Sequence, residues 1–211
     1  MISNKRIKDA VAAEAARRGV APPPRCSSLV ATLGFVWWCY RRAKEDGGED
    51  QPSLLIFSVD PRMKPPLPEK YLGNCVGPAF ALAPKSSLTA AGAGGLFSAC
   101  AAVAAGIEEA MSGIGTPSMD VWIERMKEAR ATGPLGVAGS PRFRVYDLDF
   151  GFGRPAKVDI VSVARTGAVA VAESRGGAGG MEVGVSLRPA GMDRFRKSFD
   201  DAIAGVTAPA S

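Results

Sequence analysis

Apolar positions recur at helical spacing at the start of the chain, where Ile7, Val11 and Ala15 share one face of residues 5–18 and Gly19 ends the helix. A proline-rich connector over residues 21–25 follows. Ser27-Ser28 then cap a second helix, residues 29–44, which carries Phe35, Trp37, Trp38 and Tyr40. It is apolar around most of its circumference until Arg41-Arg42, which predicts burial on more than one side. Residues 53–59, SLLIFSV, are a continuous apolar run, the pattern of a central strand covered on both faces. Residues 80–83 end another strand.

Leu96, Cys100, Val103, Ile107 and Met111 form a further helical stripe. Thr116-Pro117 opens a helix through residue 130, with Val121, Trp122, Met126 and Ala129 facing one way. Residues 143–146 are strand-like, and three strands are predicted after them, at 158–163, 168–173 and 181–187. The last alternates Met181, Val183, Val185 and Leu187 with polar or small residues, and Met192, Phe195, Phe199 and Ile203 lay a final helix on that sheet. The fold class is α/β, a mixed β-sheet flanked by helices, with no internal repeat.

With 211 residues, 46% hydrophobic and 22% charged, the composition is that of an ordinary globular chain. No run of apolar residues is long enough to span a membrane, and residues 1–8 lack the apolar core of a secretory signal. The expected location is cytoplasmic. Cys26, Cys39, Cys75 and Cys100 are widely spaced, so they read as reduced thiols, three of them buried. A net charge of +5 without a dense basic run argues against nucleic acid and suits a small anionic ligand.

The chain contains no histidine, which excludes Ser-His and Cys-His catalysis, zincin chemistry and a histidine general base within it. Asp149-Phe150-Gly151 matches the magnesium-binding triplet of protein kinases, but no His-Arg-Asp loop, Val-Ala-Ile-Lys strand or glycine-rich phosphate loop accompanies it.

Four places carry candidate chemistry. Gly151 and Gly153 permit unusual backbone angles beside Asp149, whose carboxylate can lock the loop through backbone amides or through Arg154. Asp60-Pro61-Arg62 follows the apolar strand directly, as a site segment or as a plain ion pair. Asn74 beside Gly73 is a site residue or a turn residue. Ser27 and Ser28 cap a helix or hold a phosphate at its N-terminus.

In order and at these distances the segments resemble a known family. Ser27-Ser28 before the Trp-bearing helix, SVDPR, PPLPEKYLGNC and the run SPRFRVYDLDFGFGRPAKVDIVSVARTGAVAVAESRGG resemble the C-terminal half of plant BAHD acyltransferases. The likeness covers residues 5–205 and is nearest the branch that acylates flavonoid and anthocyanin glucosides, marked by YFGNC and DFGWG. It implies a chloramphenicol-acetyltransferase-like domain at residues 26–205, an N-terminal helix and connector at 1–25 and a tail at 206–211. It also implies acyl-CoA as co-substrate with no permanently bound cofactor, and a phenolic or flavonoid glucoside as acceptor.

Carried over residue by residue, Ser27 and Ser28 stand near the CoA phosphates, Arg62 at the interface between the two family halves, and Asn74 in support of the cleft. Asp149, Gly151, Phe152 and Gly153 form a structural loop outside the reaction centre, with Phe152 where the family has Trp and Leu72 where it has Phe. Arg62 stands for either of two family arginines. The family base is the His of a His-x-x-x-Asp motif in the N-terminal half. The chain is therefore read as a truncated product, a partial gene model or a pseudoenzyme. It is expected to be inactive alone and to pair with an N-terminal half supplied in trans.

Overall fold

The computed structural model describes residues 3–44, 52–60, 67–68, 70–73, 75–112, 119–176 and 179–207, with backbone alone for residues 119, 122, 130 and 131. Two of the segments singled out by sequence, Arg62 and Asn74, lie outside the described residues, as does the Thr116-Pro117 helix start.

The chain begins with helices α1 (Asn4–Arg18) and α2 (Ser28–Ala43), followed by strands β1 (Pro52–Val59) and β2 (Gly77–Pro84). Helices α3 (Lys85–Leu88), α4 (Gly94–Ser112) and α5 (Met119–Ala131) lead to strand β3 (Leu135–Ala138). A single turn of 3-10 helix (Val145–Asp147) and the short α6 (Val163–Thr166) precede strands β4 (Val169–Glu173) and β5 (Met181–Val185) and the closing α7 (Pro189–Thr207). The sheet order is β2-β1-β3-β4-β5. β1–β2 and β4–β5 pair antiparallel, while β3 runs parallel to both β1 and β4.

The core lies between one face of this sheet and the helices. Leu55 and Phe57 of β1 stand opposite Ala81 and Ala79 of β2 on that face, and all four are buried. The small alanines let α4 lie close: a Cβ at Gly106 would sit 2.7 Å from the Phe80 carbonyl oxygen. As the all-round apolar pattern predicts, α2 is buried from Val30 to Cys39 without a break. Its polar groups are tied at three points: Trp37 donates to Ser53 Oγ at 3.1 Å, Ser198 Oγ to the Cys39 carbonyl at 3.0 Å and Arg194 Nε to the Ala43 carbonyl at 3.0 Å. Each bond satisfies a group that would otherwise be stranded in the core.

Four expectations need correction. Residues 158–163 are not a strand. Both edges of β4 are already taken, by β3 and β5, so this segment runs as irregular chain and a turn into α6 instead. Its Val163 is buried there, and the Ile160 side chain reaches so close to Gly139 that a Cβ on that residue would meet it at 2.6 Å. Residues 143–146 likewise run into the 3-10 turn rather than a strand. Third, β1 is covered fully on one face only: on the other, Leu54 is buried but Ile56 is half-buried and Ser58 exposed. Fourth, two cysteines are buried rather than three: Cys39 and Cys100 are, and Cys26 and Cys75 are half-buried. The apolar stripe of α5 is also largely uncovered. Val121 and Met126 are exposed and Ala129 is buried.

Candidate functional site

The N-terminus of α2 is the best-built candidate. Connector residue Arg25 adopts a left-handed conformation (φ 49°), and the extended Ser27 then starts the helix. The Ser27 hydroxyl accepts the Val30 backbone N–H at 3.2 Å, the ordinary capping bond. Ser28, the next residue, is turned away from that task. Its Oγ accepts a 3.4 Å hydrogen bond from Lys8 Nζ on α1. Ser28 and Lys8 both line an open cavity of about 980 Å³ between α1, α2, α7, β5 and the turn that precedes it. Its lining combines apolar Ile7, Phe35, Val183 and Phe199 with basic Lys5, Lys8 and Arg196 and acidic Asp9, Glu182 and Asp200. Lys5 pairs with Asp9 at 2.7 Å and Arg196 with Asp193 at 3.4 Å.

The arrangement offers a hydroxyl, an ammonium and the positive end of a sixteen-residue helix to an anionic group, beside an apolar cavity able to take an uncharged body. Sequence reasoning named both serines but could not separate the capping one from the one facing the cavity. It missed Lys8, whose only signal was a basic position on the first helix.

Lys8 is held at this point by the packing of α1. Ile7, Val11 and Ala15 are buried against the core, and Thr32 of α2 donates to Asn4 Oδ1 at 3.1 Å. At the far end of α1, Glu14 is buried and accepts from Arg17 and Arg18, each at 2.7 Å. The hydrogen bond from Arg17 and the charge of both arginines outweigh desolvation and hold its carboxyl at about 2. Arg18 continues across to the Gly94 carbonyl at 3.2 Å and stacks over Phe97, anchoring α1 to α4.

The DFGFG loop is a separate structure. Asp149 Oδ1 accepts the amides of Gly151 at 2.8 Å and Gly153 at 3.1 Å. Gly151 (φ 94°) and Gly153 (φ 98°) are both in the region that disfavours a Cβ. Of the two routes left open by sequence, the carboxylate takes the amides; Arg154 pairs instead with Asp147 at 3.5 Å. The rings of Phe150 and Phe152 stack with centroids 6.2 Å apart, and both stand in solvent, Phe152 at 86% exposure.

Where the loop leaves the sheet it is firmly held. Tyr146 is buried, its amide donates to Glu173 Oε1 at 3.2 Å, and its hydroxyl donates to Glu182 Oε2 at 2.8 Å. The Glu182 carboxylate raises the phenol pKa, which keeps the donor proton in place. On the neighbouring surface, Asp60 lies 3.8 Å from Arg142. Tyr71 is 42% and Leu72 99% exposed.

Among the described residues there is no group of His, Cys, Asp and Glu that could hold a metal ion, and no helix is long and apolar enough to cross a membrane.

Residues 1–202 match the family described as Transferase family. The chain is 34% identical over 197 residues to phenolic glucoside malonyltransferase 1 of Arabidopsis thaliana, covering 90% of this chain and 41% of the relative. It is 31% identical over 191 residues to the malonyl-coenzyme A:anthocyanin 3-O-glucoside-6''-O-malonyltransferase of Dahlia pinnata, covering 86% and 40%. The chain thus spans about two-fifths of the length of these relatives.

Among solved structures, the fold resembles F. graminearum TRI101 complexed with coenzyme A and deoxynivalenol, with a TM-score of 0.63, 14% identity and coverage of 92% of this chain and 45% of that one. Vinorine synthase aligns with a TM-score of 0.57 and 17% identity over 89% of this chain and 43% of that one. By the extent of the family match and the shared fold, this chain belongs to the Transferase family of BAHD-type acyltransferases.

Proposed function

We propose that this chain supplies the CoA side of an acyl-transfer site. In that site an acyl group, malonyl first among the candidates, passes from CoA to a hydroxyl of a phenolic or flavonoid glucoside. The observation that carries the reading is the cluster of Ser28, Lys8 and the first turn of α2 at the mouth of the 980 Å³ apolar cavity. It suits a ligand with phosphates at one end and a long uncharged arm at the other. The malonyltransferases among the relatives and the CoA-bound TRI101 structure support the donor and acceptor classes.

In this reading the acceptor oxygen attacks the thioester carbonyl, the CoA sulfur leaves as thiolate, and the hydroxyl proton goes to a general base. The chain has no histidine to take it. The base then belongs to a His-x-x-x-Asp segment on another stretch of polypeptide, and this chain binds and orients the donor. Arg62 keeps its proposed place at the junction with that segment, and Asn74 its support of the cleft, both by resemblance. The Asp149 clamp holds the loop, and the uncovered apolar side chains around it suit contact with the same segment.

Calorimetric titration with CoA tests the reading. Binding is expected for the intact chain, and Lys8→Ala is expected to weaken it roughly tenfold, the value of one charge-assisted hydrogen bond. Acyl transfer from malonyl-CoA is expected only after an N-terminal half from a relative is added. A chain that does not bind CoA, or that turns over unaided, refutes this reading. The rival, a non-catalytic CoA-binding or interaction protein, draws on the missing histidine. Binding that stays unproductive after the N-terminal half has assembled would favour it.

A further inference from the structure

A second open cavity, of about 590 Å³, shares β5 with the first: Glu182, Val183 and Val185 line both. Strand pairing sets Ala170 of β4 beside Gly184 of β5 and Ala172 beside Glu182, so these four share one face of the sheet. Ser186, directly after β5, continues the alternation and lines the same cavity. Gly184 is not among the glycines in the left-handed region, so the backbone does not require glycine there. Its effect is space: a Cβ at this position would already stand 3.3 Å from the Ala170 methyl. Between Glu182 and Ser186 this face carries nothing larger than methyl groups.

Val158, Ile160 and Val163 add apolar lining. The charged lining residues are Lys157, Asp159 and Glu182, and Lys157 pairs with Asp159 at 2.9 Å. The carboxylate left over disfavours an anionic ligand and favours one that donates a hydrogen bond. Glu182 is held by the Tyr146 hydroxyl at 2.8 Å and the Arg175 amide at 3.2 Å, and a carboxylate offers about four acceptor sites, so it can take a further donor. The hydroxyl of half-buried Ser186 makes no hydrogen bond to any described residue. Four residues of extended chain separate the two groups, about 13 Å. A mostly apolar cavity with polar groups at the ends of a low floor suits a flat apolar body carrying hydroxyls at both ends.

We propose that this cavity binds the flat ring system of a phenolic compound, which lies over Gly184 with one hydroxyl donating to Glu182 and another held by Ser186. In an acyl-transfer site it seats the aromatic body of the acceptor. That role rests on the acyl-transfer reading, whereas the recognition chemistry does not. β5 is the edge strand of the sheet, so a sugar carried on the ring can pass around it toward the cavity lined by Ser28 and Lys8. The residues common to the two cavities, Glu182, Val183 and Val185, mark the seam where donor and acceptor meet.

The test titrates the intact chain calorimetrically with quercetin 3-O-glucoside and with methyl β-glucoside. The flavonoid glucoside is expected to bind and the sugar alone is not. Hydrogen-exchange mass spectrometry with the flavonoid glucoside should show protection in residues 157–164 and 181–186. Gly184→Val fills the space over the strand and should weaken binding roughly tenfold or more. Ser186→Ala should weaken it about two- to tenfold, the value of one neutral hydrogen bond. CoA titration of the same proteins separates the two readings. CoA binding without flavonoid binding overturns this proposal and leaves the CoA reading standing. Flavonoid binding that Gly184→Val removes, in a chain that does not bind CoA, supports the proposal and overturns the CoA reading. The proposal also falls if methyl β-glucoside binds as tightly as the flavonoid glucoside, if protection appears elsewhere, or if both variants bind unchanged. Should Gly184→Val fail to fold, the exchange map of the unsubstituted chain and Ser186→Ala decide.

Discussion

Replacing Gly34 by Ala should destabilise the chain, although alanine is the better helix former. Gly34 lies within α2 where it crosses α4, and a Cβ there would meet Cys100 Sγ at 2.5 Å, Cys100 N at 3.0 Å and Cys100 Cα at 3.1 Å. The sulfur has nowhere to retreat, being wholly buried against the Val30 carbonyl. The two backbone contacts require the helices to part by a few tenths of an ångström. Overpacking a core in this way costs about 1–3 kcal/mol, against a gain of about 1 kcal/mol for removing a mid-helix glycine. The net expectation is a loss of up to about 2 kcal/mol, or a fall in melting temperature of up to roughly 6 °C for a chain of this size.

Gly205→Ala is the matched control. It also lies in a helix, α7, but an added Cβ there meets nothing within 4 Å, and it should stabilise by about 0.5 kcal/mol. Urea unfolding of both variants reads the difference. In a Cys100→Ala background the Gly34→Ala cost should shrink by about 1 kcal/mol, because the worst contact is gone. Gly34→Ala as stable as Gly205→Ala, or an unchanged cost in the Cys100→Ala background, refutes the close-crossing argument.

Stability should fall in acid as Glu14 protonates. Its folded pKa is lowered from 4.5 to about 2, so its contribution is complete above 4.5 and disappears as pH falls toward 2. The shift sets a ceiling of about 3.4 kcal/mol, and the solvent exposure of Arg17 reduces this to about 1–2 kcal/mol, which Glu14→Gln should remove at neutral pH in urea unfolding. Asp149→Ala frees two amides on an exposed loop; hydrogen exchange at Gly151 and Gly153 should accelerate while global stability stays within about 0.5 kcal/mol. Phe150→Ser combined with Phe152→Ser should lower light scattering at micromolar concentration without lowering the melting temperature, since both rings lie largely in solvent. Unchanged scattering would show that self-association, if present, uses another surface.

Periodicity made the helices legible because each is a local pattern with a large consequence. The unbroken apolar circumference of α2 could only mean a buried helix, and α1, α4 and α7 each carried a stripe wide enough to fix the buried face. The strands were legible only where nothing competed. Residues 158–163 have the composition of a strand, yet whether they pair depends on a vacancy beside β4, and β3 and β5 fill both sides. Conversely β3 is four residues long with a glycine at its second position, too short to declare itself. It becomes a strand because β1 and β4 present parallel edges for it to bridge.

The candidate site divides in the same way. The Asp149 clamp is built from residues at most four positions apart, so the sequence contained its partners and left only the choice between amides and Arg154. Ser27 and Ser28 are chemically alike, and which of them caps depends on where α2 begins: the residue in extended conformation caps, and the next one turns outward. Lys8 reaches Ser28 across twenty residues. That pair leaves no trace in local spacing. It exists because α1 packs against the start of α2, so the chemistry at that point is a product of packing.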